Sequence, residues 1–169
     1  MIELLYKSGD FERKFIECMN SYQSYYWATG WAGHGFKAYE LLLREEYRSK
    51  IKVLATGVYD LAGTTKTSKD FIRNFKDVEG VHLIGYIEKS KGRNSLHSKE
   101  YLFYTDDSHW EAFIGSANFT KAGFTTNYEA VLHFDQDSGS IDEMMRFFTK
   151  ELPTLQTLTN STVKRLVGE

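Results

Sequence analysis

Residues 96–132 read LHSKEYLFYTDDSHWEAFIGSANFTKAGFTTNYEAVL, and this stretch decides the fold. Three runs in it are rich in aromatic and β-branched residues, which is typical of β-strands. They cover 99–105, 109–117 and 128–134. The first two are joined only by the turn-forming residues Asp106, Asp107 and Ser108. We therefore expect these two runs to form a β-hairpin.

The sequence before this stretch alternates between helical and strand-like patterns. The expected helices cover 11–22, 36–49 and 68–75, and Asp10 is the expected N-cap of the first. The expected strands cover 25–32, 51–56 and 81–87. Such alternation favours right-handed crossover connections that feed a largely parallel, buried sheet.

After the third strand-like run, residues 140–152 have a helical pattern, capped by Ser140 and ended by Pro153, the only proline in the chain. The segment from 154 onward is polar and has room for one last short helix. We therefore expect an α/β protein, an αβα sandwich around a mixed, largely parallel β-sheet of undetermined strand order. One domain is expected over 1–153, followed by a C-terminal tail over 154–169.

The composition limits the classes of function. With 169 residues, 41% apolar and 15% aromatic, the chain can build one sizeable core. Its 21 Lys and Arg against 23 Asp and Glu exclude a uniformly basic surface, so a polyanion has to bind a local patch. The single cysteine, Cys18, and an opening segment without signal-peptide features predict a cytoplasmic protein. The sequence contains no apolar run of membrane-spanning length, so no membrane partner is expected.

Three short motifs carry the residue types of phosphate chemistry. They are His97-Ser98-Lys99, Gly115-Ser116-Ala117-Asn118-Phe119-Thr120 and Asn127-Tyr128-Glu129. An imidazole is a nucleophile or an acid–base group, an ammonium or an amide can hold a phosphate, and a carboxylate can orient an imidazole. His97 and Lys99 lie two apart on an expected strand, so both side chains should lie on one face. The set is suited to attack at phosphorus.

The His-x-Lys and Gly-Ser-x-Asn motifs together resemble the signature of the phospholipase D superfamily. The run GSANFTKAGFTTNYEAVL is particularly similar to the small bacterial nucleases and metal-independent restriction endonucleases of that superfamily. The resemblance is strong over 96–132 and generic over the first 90 residues. It implies a phospholipase D-like fold and a phosphodiesterase that needs neither a metal nor a cofactor.

In this superfamily two copies of the motif meet, and one histidine attacks phosphorus while the other protonates the leaving oxygen. The chain has one copy, so the resemblance implies a homodimer in which the two His97 side chains share one active site. Lys99, Ser116 and Asn118 would hold the phosphate as charge builds up. Glu129 would fix the tautomer and orientation of His97.

Substrate contacts are expected next to these motifs. Lys89, Lys91 and Arg93 form a basic stretch that leads into the His-x-Lys motif, and a basic stretch of this kind favours nucleic acid, DNA in particular. Trp31 could stack on a base, and His34 lies in a glycine-flanked loop that could border the site.

Three functions remain open at this point. The first is a metal-independent endonuclease, the catalytic part of a restriction or defence system, whose DNA-recognition domain or subunit is not in this chain. The second is a lipid phosphodiesterase of the phospholipase D type, which would use the same residues. The third is a catalytically silent nucleic-acid-binding domain, because Tyr104 stands where the longer superfamily motif has an aspartate.

Overall fold

The computed structural model describes residues 2–58, 65–85 and 96–169, and a seven-stranded sheet is its central element. The strands are β1 (Glu3–Lys7), β2 (Ser24–Thr29), β3 (Ile51–Gly57), β4 (Val81–Ile84), β5 (Lys99–Asp106), β6 (His109–Gly115) and β7 (Tyr128–Asp135). Their order across the sheet is β1-β7-β6-β5-β2-β3-β4. The expected β5–β6 hairpin is confirmed, whereas β1 was not predicted.

The sheet is mixed, as expected, but it is not largely parallel. Only the β2–β3 and β3–β4 pairings of the described sheet are parallel, and the other four are antiparallel. The reason lies in the connections. Parallel neighbours need a long crossover, and helices lie between β2 and β3 and between β3 and β4, whereas the short turn between β5 and β6 can join only antiparallel strands.

Helices cover both faces of the sheet. They are α1 (Ser8–Ser21), α2 (Lys37–Leu42), α3 (Glu45–Arg48), α4 (Lys69–Phe75), α5 (Asp142–Arg146) and α6 (Asn160–Val167). A π-helical turn (Phe147–Glu151) and a 3-10 turn (Leu152–Thr154) continue α5, and another π-helical turn (Ala122–Thr126) precedes β7. A 3-10 turn (Gln136–Ser138) follows β7.

Several helix boundaries differ from the expected ones. Helix α1 begins at Ser8, so Asp10 is not the N-cap but lies in the first turn, where a carboxylate faces the positive end of the helix dipole. The helix expected over 36–49 is two helices, because Arg44 between α2 and α3 has an extended backbone (φ −80°, ψ 140°). The Ser68 side chain caps α4 by accepting a hydrogen bond from the Phe71 N–H.

The core is aromatic on one face of the sheet and mostly aliphatic on the other. On the α1 face, the Phe15 ring lies 4.9 Å from the rings of Trp27, Phe103 and Phe124. The opposite face packs Leu102 and other small or aliphatic strand residues against the segment that begins at α5. Buried rings of this size supply most of the apolar area that stabilises such a domain.

The segment over 154–169 contains α6, which packs on the rest of the chain. Val163 and Val167 of α6 are buried with Ile72 of α4 and Leu83 of β4. No helix in the described ranges is long and apolar enough to cross a membrane.

Candidate active site

Three sheet neighbours bring the sequence motifs to one end of the sheet. His97 and Lys99 lie at the amino end of β5, where Lys99 is opposite Thr29, the last residue of β2. Strand β6 ends beside them at Gly115, and β7 begins there at Tyr128. These strands alternate in direction. Motifs that are roughly 10 to 30 residues apart in the chain therefore become neighbours in space.

The motif residues line an open cleft of about 560 Å³. Its walls are formed by Trp31, His97, Ser98, Lys99, Glu100, Ile114, Gly115, Ser116 and Asn118. A Cβ on Gly115 would lie 2.2 Å from the carbonyl oxygen of Ala130, so this position of the motif has to be glycine for β6 and β7 to stay paired. The structure therefore brings together four of the five predicted catalytic residues and Trp31.

His97 and Lys99 form a close pair in this cleft. The Lys99 ammonium donates a hydrogen bond to the His97 carbonyl oxygen at 2.7 Å and lies 3.0 Å from Nδ1 and 3.2 Å from Nε2 of the ring. Burial lowers the pKa of His97, and the positive charge of Lys99 lowers it further. In a single chain both influences favour the neutral imidazole, which is the form that can act as a nucleophile.

Lys99 is itself under two opposing influences. Burial lowers its pKa, whereas the carboxylate of Glu129 acts in the opposite direction. The Lys99 ammonium also lies 6.0 Å from the centre of the Trp31 ring, whose edge-to-face contact with His97 has a centroid separation of 5.4 Å. Trp31 is thus a wall of the cleft.

Asn118 is oriented by the backbone that follows β2. Its Oδ1 atom accepts a hydrogen bond from the Trp31 N–H at 3.1 Å. Because the oxygen has this partner, the NH₂ group is the part of the side chain that can donate to a ligand. Asn118 is therefore suited to bind an anionic oxygen in the cleft.

Thr29 is a further candidate site residue, which sequence reasoning missed. Its hydroxyl is almost fully buried, donates to the carbonyl of Trp31 at 2.9 Å and accepts from the N–H of Phe119 at 3.0 Å. The Tyr101 hydroxyl lies 3.3 Å away and donates to the carbonyl of Ala117. Thr29 thus ties the Trp31 loop to the loop that carries Asn118. No local sequence pattern marks Thr29. It comes to the site because it pairs with Lys99, and this pairing depends on the strand register.

Ser116 and Glu129 are hydrogen-bonded to each other. The Ser116 hydroxyl donates to the Glu129 carboxylate and accepts from the N–H of Ala130 at 3.0 Å. The other Glu129 oxygen accepts from the Asn127 amide at 3.0 Å. Within the described chain these bonds take the place of the expected contact between Glu129 and His97.

Of the predicted substrate-binding residues other than Trp31, only His34 falls within the described ranges. His34 does not line the cleft, because its Nε2 atom is 3.5 Å from a carboxylate oxygen of Asp70 in α4. Lys89, Lys91 and Arg93 lie outside the described residues. Among residues 2–58, 65–85 and 96–169, no three His, Cys, Asp or Glu side chains form a group that could hold a metal ion.

Tyr104, the departure from the superfamily motif, is remote from the cleft. It lies five residues beyond Lys99 on β5, a separation of about 17 Å along a strand. Its hydroxyl donates to Asp107 at 2.8 Å, and its ring packs edge-on against Tyr26. The replaced aspartate position therefore does not contribute a group to the cleft.

Comparison with known families finds one matching family model. The family described as the NgoFVII restriction endonuclease N-terminal PLD domain matches residues 16–161. No curated protein matches the chain by sequence.

Three solved structures share the fold. NucT from Helicobacter pylori is 19% identical with a TM-score of 0.66, and the match covers 94% of this chain and 99% of that one. Nuc from Salmonella typhimurium, a phospholipase D family member, is 14% identical with a TM-score of 0.62, covering 95% and 99%. Phosphatidylserine synthase from Haemophilus influenzae is 16% identical with a TM-score of 0.62, covering 99% of this chain and 43% of that one.

Proposed function

Because the chain belongs to the family of the NgoFVII restriction endonuclease N-terminal PLD domain, we propose that it is a metal-independent phosphodiesterase that cleaves nucleic acid, DNA in particular. The observation that carries this proposal is the convergence of His97, Lys99, Ser116 and Asn118 on one cleft. A neutral imidazole, a cation and two hydrogen-bonding side chains are the groups that attack at phosphorus requires.

The first step is attack by His97 on phosphorus. A ring nitrogen donates its lone pair, an N–P bond forms, and the P–O bond to the leaving nucleotide breaks. The leaving oxygen needs a proton, and we assign this role to the partner's His97 in a symmetric homodimer. Lys99 and the Asn118 NH₂ group stabilise the negative charge that develops on the non-bridging oxygens.

The second step is hydrolysis of the phosphohistidine. Water attacks phosphorus, the partner's His97, now neutral, accepts a proton from this water, and the N–P bond breaks. His97 is then free again and the partner's His97 is protonated for the next cycle. The two steps together consume one water molecule for each phosphodiester bond cleaved.

Glu129 has two possible roles that differ in geometry. Its hydrogen bonds to Ser116 and Asn127 and its electrostatic effect on Lys99 support a role in holding the lysine charged. Direct orientation of His97 would require the bond to Ser116 to open. We propose the first role.

We propose two further sets of substrate contacts. Trp31 offers an aromatic surface beside His97, on which a base can stack. Lys89, Lys91 and Arg93 precede the motif in the chain and would attract the phosphate backbone. Recognition of a particular DNA sequence is assigned to another domain or subunit.

The test is cleavage in EDTA. Wild-type protein, His97→Ala and His109→Ala are incubated with plasmid, single-stranded DNA, RNA and phosphatidylcholine vesicles. His109 is the matched control because it is exposed and lies at the opposite end of β6 from the cleft. We expect wild type and His109→Ala to cleave DNA while His97→Ala is inactive. Strict dependence on added Mg²⁺ would contradict the mechanism, and choline release without DNA cleavage would favour the lipid phosphodiesterase.

A further inference from the structure

Two buried threonine hydroxyls lie beside the Trp31 loop, which forms one wall of the cleft. Thr56 lies near the end of β3, and Thr67 lies just before the residue that caps α4. Both residues are almost fully buried, and their Oγ1 atoms are 3.1 Å apart. Burial of a hydroxyl is unfavourable unless the group is hydrogen-bonded. Both hydroxyls therefore have to find partners within the protein.

Every hydrogen-bonding site of the Thr67 hydroxyl is used. The hydroxyl donates to the Gly57 carbonyl at 2.6 Å and accepts from the Ala32 N–H at 3.0 Å. The Thr56 hydroxyl, 3.1 Å away, can donate to the remaining lone pair. A hydroxyl has one donor and two acceptor sites, so all three sites are used. An aliphatic side chain of the same size would leave the Ala32 N–H and the Gly57 carbonyl without this partner.

The backbone that follows Trp31 is held from two sides. The Ser68 N–H donates to the Ala32 carbonyl at 2.8 Å, so both backbone groups of Ala32 are bonded to the segment that leads into α4. On the other side, the Gly33 N–H donates to the Phe119 carbonyl at 2.8 Å. The path of the chain at Trp31 is therefore fixed between these two segments.

The strand end that Thr67 holds also packs against the backbone that leads to His97. Gly57, whose carbonyl accepts from Thr67, is the last residue of β3. A Cβ atom on Gly57 would lie 2.6 Å from the carbonyl oxygen of Gly30 and 2.7 Å from that of Leu96. Leu96 directly precedes His97 in the chain. The end of β3 is thus in close contact with backbone on which the site is built.

Thr67 and Thr29 hold different parts of the Trp31 loop. Thr29 bonds the carbonyl of Trp31 and the N–H of Phe119, whereas Thr67 bonds the residue that follows Trp31. Thr67 does not line the cleft. Loss of the Thr67 hydroxyl should therefore loosen Trp31 and leave the bonds of Thr29 in place.

We propose that Thr67 is a positioning residue, which holds Trp31 as a wall of the cleft and thereby sets the affinity of the site for an unpaired base. The effect on affinity rests on the proposed function, in which a base stacks on Trp31. A ring that is already fixed loses little further freedom when a base stacks on it, whereas a loosened ring has to be ordered again on binding. Thr67 thus acts on binding through Trp31, without contact with the substrate.

The first measurement needs no substrate. The chain has three tryptophans, and protein labelled with fluorotryptophan reports them by fluorine NMR, with Trp31→Phe identifying the signal of Trp31. We expect Thr67→Val to shift the Trp31 signal, while Trp110, which is buried on the opposite face of the sheet, keeps its own. Thr67→Ser, which keeps the hydroxyl, should have the wild-type spectrum.

A second variant serves where Thr67→Val is too unstable to study. Thr67→Cys has a side chain of similar size, but its thiol forms only weak hydrogen bonds. It should move the Trp31 signal in the same direction as Thr67→Val, by a smaller amount.

The second measurement is the affinity for a thymidine oligonucleotide, followed by fluorescence anisotropy in the His97→Ala background so that the probe stays intact. Thr67→Val should weaken binding by about 10-fold, which lies within the range of one stacking contact. Trp31→Ala should weaken binding at least as much, and Thr67→Val added to it should cause no further loss. With His97 present, Thr67→Val should raise KM and change kcat little.

Phe148→Leu is the control for a general loss of stability. Phe148 is fully buried on the face of the sheet opposite α1, so its replacement should lower Tm without moving the Trp31 signal or changing the oligonucleotide affinity. A merely structural Thr67 would give this same pattern. That result for Thr67→Val would overturn the proposal.

The remaining outcomes separate this inference from the proposed function. A further loss of affinity when Thr67→Val is added to Trp31→Ala, or a shifted Trp31 signal with unchanged affinity, overturns the effect on base binding. Cleavage of DNA by wild type leaves the proposed function standing in both cases. If the Trp31 signal moves as expected but the protein neither binds nor cleaves nucleic acid, the positioning role stands and the proposed function is overturned.

Discussion

Gly30 lies directly against His97, and a Cβ atom on this glycine would be 3.3 Å from Cδ2 of the imidazole. The same Cβ would lie 3.0 Å from Oδ1 of Asn118. Gly30 follows Thr29 at the end of β2, so the backbone there contacts both motifs of the site. Because residue 30 has no side chain, both His97 and Asn118 can pack against the backbone at this position.

Replacement of Gly30 by alanine is expected to impair catalysis more than stability. The methyl group would displace His97 and Asn118 by a few tenths of an ångström, and misplacement of catalytic groups costs about 10- to 100-fold in kcat. Initial rates on plasmid DNA and thermal denaturation measure the two effects. Gly9→Ala is the control, because its Cβ would have nothing within 4 Å. Full activity in Gly30→Ala would mean that the contact does not limit the reaction.

Replacement of Lys99 by methionine is expected to raise the pKa of His97. Burial and the Lys99 charge both lower this pKa, so removal of the charge leaves burial alone. The pKa should move upward, toward the ordinary value for histidine. Titration of the histidine ring signals by NMR measures it, with Lys52→Met on β3 as a control that should leave it unchanged. An unchanged or lower pKa in Lys99→Met would contradict the pairing.

Cleavage by Lys99→Met should also fall by about 100-fold or more, since a cation at the phosphate is lost.

Replacement of Thr29 by valine keeps the shape and removes the hydroxyl. The Phe119 N–H then loses its partner, which costs about 1–3 kcal/mol of stability. We expect kcat to fall with little change in KM, because the Asn118 loop loses a tie to the Trp31 loop. Thr29→Ser, which keeps the hydroxyl, should have the stability and the kcat of wild type. The double variant tests whether Thr29 acts through Asn118. If it does, adding Thr29→Val to Asn118→Ala should not lower kcat further. A further decrease in kcat would show that the two residues act independently.

Glu111 is expected to make the protein sensitive to acid. Burial raises its pKa, but hydrogen bonds from His133 and Tyr22 outweigh burial, and the resulting pKa is lower than usual. A lowered pKa in the folded state means that the carboxylate stabilises the fold above its unfolded pKa. This stabilisation is lost as the pH falls through the folded pKa.

The measurement is urea unfolding between pH 7 and pH 3 for wild type and Glu111→Gln. The variant should be less stable at pH 7 by about 1–3 kcal/mol, and the difference should shrink toward pH 3. Glu143→Gln is the control, because its side chain is 81% exposed. A constant difference across the pH range would exclude Glu111 as the source of the pH dependence.

The meeting of the motifs at one end of the sheet could be predicted because each motif consists of residues that are close in the chain. His97 and Lys99 alternate on one strand, and the glycine at 115 ends the next. The hairpin that joins these strands follows from a short turn, which needs no long-range information. The proximity of these motifs could therefore be predicted from sequence alone, and their catalytic role stays a prediction.

The parts that could not be predicted depend on pairing between distant segments. Thr29 contributes to the site only through its register opposite Lys99, for which no local pattern exists. The Glu129 carboxylate was expected to contact His97, but it accepts a hydrogen bond from Ser116 instead. This bond depends on how β6 and β7 pair, which the sequence does not reveal. Similarly, the break at Arg44 has no proline or glycine to announce it.

The edge of the sheet that β1 forms is completed late in protein synthesis. Its residues 3–7 leave the ribosome long before residues 128–135, with which they pair, so they have no sheet partner until β7 has been made. Closing so long a loop is slow compared with forming the β5–β6 hairpin. Strands β1 and β7 therefore pair only after the chain has been made through β7, and a nascent chain that ends earlier lacks this edge of the sheet.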